Sequence, residues 1–258
     1  MGIGLQRVGE TNINNQNCLM KIVEYNGRRD VIVEFQDEFK GKVHTCYNHF
    51  VSGDVKNPYY PNVYGVGIVG NKYSSRENHK IVKEYSIWYS MLQRCFDKDY
   101  MKKFPTYDNV TCCEEWLLYE NFYEWLHIQE NFDKWLNGEK WALDKDILVK
   151  GNKVYSPETC CLVPHYINSL FLKNDTSRGG LPIGVSKNGG KFMAYCNNPF
   201  AQKREYLGTR ETEQQAFTIY KQYKESLIKQ IAQIEYNKGN ITKKCYEAMI
   251  DYKVEITD

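Results

Sequence analysis

Apolar and polar residues alternate along positions 20–25 and again along 30–35, with Asn26-Gly27 between the two runs. A period of two puts successive side chains on opposite faces of a strand, and Asn-Gly tolerates the positive φ of a tight turn, so the pattern predicts a β-hairpin. Residues 42–50 are expected to add a third strand. The stretch VSGDVKNPYYPNVYGVGIVG that follows is rich in Gly, Pro and Asn and is expected to be a structured loop. The period then lengthens. Ile81, Tyr85, Trp88, Leu92 and Cys95 recur at helical spacing, as do Trp116, Tyr119, Phe122, Tyr123 and Leu126, which predicts two amphipathic helices with aromatic, core-facing stripes. Positions 141–148 are β-like. Ser156-Pro157-Glu158 resembles a helix start, a Ser cap followed by Pro in the first turn, and predicts a short helix over 160–172 with Pro164 near its beginning or kinking it. LPIGVSK, KFMAYCNN and KREYLGTR are three predicted strands, the first two joined through Asn188-Gly189-Gly190. A long helix is expected from near Glu211, with Ala216, Tyr220, Tyr223, Leu227, Ile231 and Ile234 on one line. A last helix and an extended end complete the chain.

These elements define an α+β fold in three parts: a small β domain (1–70), a helical domain that ends in a β-hairpin and helix (71–172), and a three-stranded antiparallel sheet backed by one helix, with a tail (173–258). Composition fits a soluble globular protein, with 42% hydrophobic and 26% charged residues. No run of 18 apolar residues exists and the first residues carry no apolar secretion core, so neither a membrane span nor export is expected. Nine cysteines, an odd number scattered over the chain, suit reduced thiols in a cytoplasm better than a disulfide framework. The net charge of +2 conceals an asymmetry: positions 173–244 hold 13 Lys/Arg against 6 Asp/Glu, a surplus of 7, so the remainder is acidic by 5. A basic module on a mildly acidic body points either to a polyanionic partner or to a solvated helix with excess lysine.

The segment ALDKDILVKGNKVYSPETCCLVPHYINSLF concentrates the candidate chemistry. Leu143-Asp144-Lys145-Asp146, Gly151-Asn152-Lys153, Pro157-Glu158-Thr159-Cys160 and Asn168 resemble the ββα-metal core of phage HNH homing endonucleases. In that family a hairpin and a helix grip one hard divalent cation, which stabilises the transition state of phosphodiester cleavage while a neighbouring base activates water. The resemblance implies Asp144 and Asn168 as ligands of Mg²⁺ or Mn²⁺, Asp146 as either a further ligand or a turn residue, and Lys145 at the place of the family's general-base His. Thr159 stands where the family has an Asn that steadies the hairpin loop. A lysine flanked by two carboxylates stays protonated near neutrality, so either another group activates water, or Lys145 contacts phosphate, or the site is without chemistry. His165, one helical turn before Asn168, is the other candidate base, or simply a surface residue. The aromatic and Cys-rich sequence upstream is similar to proteins of Firmicute phages that carry this kind of core. That implies a phage protein in a bacterial cytoplasm that cleaves or nicks DNA, or an inactive descendant that regulates DNA or blocks a host complex through protein contacts. Some nucleases of this kind hold structural zinc; Cys95, one of Cys112 and Cys113, and one of Cys160 and Cys161 are the candidates, but no Cys-x-x-Cys pair exists, adjacent cysteines rarely share one ion, and buried free thiols are the favoured reading.

Gly184-Val185, Lys191-Phe192, Ala194-Tyr195, Leu207-Gly208-Thr209, Ala216 and Tyr220 resemble the ethylene-response-factor type of DNA-binding domain. In that family the sheet enters the major groove of double-stranded DNA and the helix packs behind it. Strand alternation assigns Phe192, Ala194 and Cys196 to the helix side and Lys191, Met193 and Tyr195 to the open side. Lys187, Lys203, Arg204, Tyr206 and Arg210 complete the expected DNA contacts. The family's sheet carries more arginine and a tryptophan, which this chain lacks. The plain alternative is a small α+β scaffold domain with a basic surface.

Overall fold

The computed structural model describes residues 7–172, 179–256 and 258. The chain is α+β, and it divides into two compact units, one ending at Leu126 and the other beginning at His127, so the boundary falls inside the 71–172 region delimited from sequence.

The first unit opens on an antiparallel meander of β1 (Thr11–Ile13), β2 (Leu19–Gly27), β3 (Asp30–Phe35) and β4 (Lys42–Thr45), paired in chain order. The expected hairpin forms, but its two turn residues are Arg28 and Arg29; Asn26 and Gly27 lie at the end of β2, with Gly27 opposite Asp30. Alternation brings Met20, Ile22, Val31, Val33 and Phe35 to one buried face. The third strand stops at Thr45. Residues expected to extend it form α1 (Tyr47–Ser52) instead, ended by Gly53 at φ +76°, because a helix lays Phe50 onto the apolar face of the meander.

The Gly- and Pro-rich stretch is loop, tied down by the buried Glu120: the amides of Asn71 and Lys72 donate to its Oε1 at 2.9 and 2.8 Å. A small hairpin, β5 (Arg76–Glu77) and β6 (Lys80–Ile81), then leads into α2 (Lys83–Phe96) and α3 (Lys98–Lys103). Trp88, Leu92 and Cys95 are buried on α2 as the stripe predicts, while Ile81 lies in the hairpin and is exposed. Asp97 caps α3, its carboxylate accepting from the amides of Asp99 and Tyr100. After β7 (Thr111–Cys112) and a 3₁₀ turn at Glu114–Leu117 comes α4 (Tyr119–His127). Its Tyr119, Phe122 and Leu126 are buried with Trp116, whose carbonyl accepts from Trp88 Nε1 at 2.7 Å.

The second unit holds α5 (Phe132–Asn137), β8 (Trp141–Asp144), β9 (Val154–Tyr155), β10 (Cys161–Pro164) and α6 (His165–Leu170). The helix expected over 160–172 is therefore half strand. Ser156 opens a tight turn, its carbonyl accepting from Cys160 N at 3.0 Å, and Cys161–Pro164 pairs antiparallel with β8 before the chain turns helical at His165. The run Cys161, Leu162, Val163 is buried throughout, and a fully covered strand lacks the alternation that would distinguish it from a helix.

Downstream, β11 (Val185–Asn188), β12 (Lys191–Asn198) and β13 (Lys203–Arg210) form the expected antiparallel sheet, followed by α7 (Glu213–Asn237) and α8 (Lys243–Asp251). Thr212 caps α7 through its hydroxyl, which accepts from Gln215 N. Ala216, Tyr220, Leu227 and Ile231 line the core, but Ile234 is exposed, and Phe217, Ile228 and Ala232 take the buried places beside them. One continuous core links Val163 and Ile167 to Ala194, Cys196, Ile228, Ile231, Cys245 and Met249, so the β8–β10–α6 segment and the sheet-and-helix module are packed as one body. Among the described residues no helix is long and apolar enough to cross a membrane.

Candidate nucleic-acid interface

β8 and β10 pair with Asp144 opposite Cys161 and Trp141 opposite Pro164, and α6 follows β10 directly and packs on both strands. Asp144 thus closes one end of the hairpin, while α6 starts at the other end and carries Asn168, half-buried, within its second turn. The loop between β8 and β9 is folded around Asp144. The amides of Asp146 and Ile147 each donate to its Oδ1 at 2.8 Å. Burial, then the Asp146 carboxylate, pushes the Asp144 carboxyl up to about 7 against the pull of those amides. Asp146 itself is half exposed and faces Lys145 Nζ at 3.3 Å. Asn152 Nδ2 donates to the carbonyls of Lys145 and Val154 at 2.7 and 2.6 Å, and Thr159 Oγ1 donates to Val154 O at 2.8 Å. Thr159 therefore does pin the loop. His165 is exposed at the start of α6, its amide donating to Lys140 O at 2.7 Å.

This arrangement reproduces the order hairpin, loop, strand, helix, but it fits a divalent cation poorly. One oxygen of Asp144 is committed to its own loop, its carboxyl is held toward the neutral form, and the Lys145 ammonium stands in the same loop. Among the described residues no group of three or more His, Cys, Asp or Glu could hold a metal ion. Of the zinc candidates, Cys95 is hydrogen-bonded to Cys112 in the first unit, while Cys160 and Cys161 are buried in the second, where Cys161 is hydrogen-bonded to Cys245.

The three-stranded sheet is built differently on its two faces. Ala194 and Cys196 are buried toward α7, and Phe192 packs beside them. Met193 pairs with Ser186 and Thr209, Tyr195 with Tyr206, and Asn197 with Arg204, which puts these residues on the face away from the helix. There the Arg204 guanidinium lies 4.3 Å from the Tyr195 ring centre, and Tyr195 and Tyr206 are 5.4 Å apart. Tyr206 is 58% exposed, with its hydroxyl 2.7 Å from that of Thr209. Lys191 is at the edge of this face, ion-paired with Glu211 at 2.6 Å.

The β12–β13 register slips by one residue between Ala194 and Tyr195, so Leu207 is a bulge. Beyond it Gly208 and Arg210 fall opposite Ala194 and Phe192, on the helix side. Lys187 pairs with Phe192, and Lys203 pairs with Asn198, whose amide donates to Tyr223 of α7 at 3.1 Å. The expected contacts therefore separate: Lys191, Met193, Tyr195, Arg204 and Tyr206 share the open face, whereas Lys187, Lys203 and Arg210 belong to the other. Sequence reasoning missed Thr209, because the bulge in β13 is not visible in the alternation, and it also missed Ser186 of β11 and Lys224, discussed below.

Compared with known proteins, the chain matches no family model, no curated protein and no solved structure.

Proposed function

We propose that the chain binds double-stranded DNA through the open face of its β11–β13 sheet, with the β8–β10–α6 unit kept as a non-catalytic framework. The observation that carries this reading is the Arg204–Tyr195–Tyr206 cluster on an uncovered sheet face. An arginine resting on a ring keeps guanidinium N–H groups for phosphate or guanine, and the exposed Tyr206 supplies a hydrogen-bonding group and stacking surface at little entropic cost. The local surplus of basic residues adds a sequence-independent attraction for the phosphate backbone.

Binding of a mixed-sequence duplex, measured by fluorescence anisotropy between 50 and 200 mM salt, tests this. The affinity should fall steeply with salt. Tyr206→Ala should weaken it by about 1–3 kcal/mol, and Arg204→Gln should in addition flatten the salt slope by about 1. Salt-independent binding, or variants that bind like the parent, would reject the reading.

A second reading, DNA nicking with Mg²⁺ or Mn²⁺, is favoured by the hairpin-then-helix order around Asp144 and Asn168. A supercoiled-plasmid assay with each metal separates the two. Nicking that vanishes in Asp144→Ala supports the second; no nicking above background with either metal supports the first.

A further inference from the structure

β11 covers β12 only as far as Ala194; the Tyr195 amide then closes onto the Gly184 carbonyl at 2.8 Å. Past that point the β12 edge has no strand beside it among the described residues, and a cavity of about 1000 Å³ opens there. Four cationic side chains line it, Lys187, Lys203, Arg204 and Lys224, with Tyr195 and Tyr220 as aromatic walls and, among the described residues, no carboxylate in the lining. The adjacent Glu205 is turned to α7, where Tyr223 Oη donates to it at 2.7 Å.

Lys224 is the anomaly. It occupies a core-facing position of α7, one turn after Tyr220, and is 8% exposed. Among the described residues it has neither an ion pair nor a hydrogen bond, and burial lowers its affinity for a proton. Its electrostatic neighbour is the buried Cys196 thiol, a weak one for an ammonium. Burying a cation with so little compensation is costly, and a bound anion would offset that cost. Lys187 and Lys203, which the strand register turns away from the open sheet face, border this same cavity.

We propose that this cavity binds a phosphate group, with Lys224 at its floor and Lys203, Arg204 and Lys187 at its walls. The space suffices for a nucleotide, and the phosphate comes either from a free nucleotide-like molecule or from a nucleic-acid strand that reaches over the Arg204 edge. The proposal does not rest on DNA binding by the sheet.

Isothermal titration of the full chain with inorganic pyrophosphate tests it. Saturable one-to-one binding is expected, weakened at least tenfold in Lys224→Met and in Lys203→Gln, and unchanged in Lys229→Gln, an exposed lysine of the same helix outside the cavity. Methionine preserves much of the buried volume, and position 203 is exposed, so at least one variant remains folded; circular dichroism confirms which. Absence of saturable binding, or binding that both folded variants retain, overturns the proposal. Repeating the titration on the complex with a short duplex assigns the source: loss of pyrophosphate binding identifies a strand phosphate, and retention a free ligand.

Discussion

Burial at the end of β8 governs the protonation of Asp144. Its carboxyl ordinarily ionises near 3.8 and here ionises near about 7, so between those values the folded chain holds a proton that the unfolded chain has released. The stabilisation is whole below the ordinary value, fades as pH rises through the window, and is gone above about 7. Asp144→Asn retains an oxygen for the amides of Asp146 and Ile147 but has no proton to lose. The melting temperature of the parent, taken relative to that variant, should therefore decline from pH 5 to pH 7; a constant difference would mean that Asp144 is not held neutral. Gly184 carries a different constraint. Its φ is +74°, and a Cβ there would sit 2.1 Å from the Tyr220 ring. Gly184→Ala adds left-handed strain to a collision with a core side chain, and should cost about 2 kcal/mol or more in a urea melt.

At the scale of elements, what the sequence reveals depends on whether an element has one covered face or two. The meander, α2, the three-stranded sheet and α7 each bury one side, and their periods of two or of three to four can be read directly from the residues. β10 is covered on both sides, and with Ser156-Pro157 in front of it the residues suggest a helix where the chain makes a turn and a strand. Likewise Phe50 sits in α1 because the meander needs a lid, a demand made by distant residues. The faces of β13 were half legible. Tyr206 and Arg204 follow simple alternation, but the Leu207 bulge reverses the parity after it, which is why Arg210 lies behind the sheet and Thr209 in front. A testable consequence is that deleting Leu207 restores strict alternation and leaves every other side chain of β13 on its present face. It should cost only the partial packing of Leu207 itself. Deleting Arg204 instead transfers Lys203 to the open face in its place, which keeps a cation there but loses the planar guanidinium on Tyr195, and should weaken DNA binding by about 1–3 kcal/mol, with thermal melts confirming that both variants fold. The Lys224 signal was present in the sequence as a lysine on an apolar helical line, but that it has neither an ion pair nor a hydrogen bond among the described residues is a fact of packing.

For the whole molecule, the two units differ in what holds them together. The first relies on aromatic packing around Trp88, Trp116 and Tyr119, with Glu120 fastening the long loop. The second draws its last residues back over its own hairpin loop. Lys150 Nζ donates to the Lys253 carbonyl at 2.8 Å and pairs with the Asp258 carboxylate at 2.8 Å, its ammonium 5.0 Å from the centre of the Tyr252 ring. Val254 is buried in the core, and its amide donates to Glu225 Oε1 at 2.9 Å. This strap does not cover the loop, in which Lys150 and Lys153 are exposed, but it tethers Lys150 and so opposes the local unfolding that trypsin needs to cut there. A chain shortened after Lys253 should be nicked at Lys150 or Lys153 within minutes under conditions in which the parent survives, with the cut located by mass spectrometry. Such an outcome would make the order of a loop near the middle of the sequence depend on the contacts of Lys253, Val254 and Asp258.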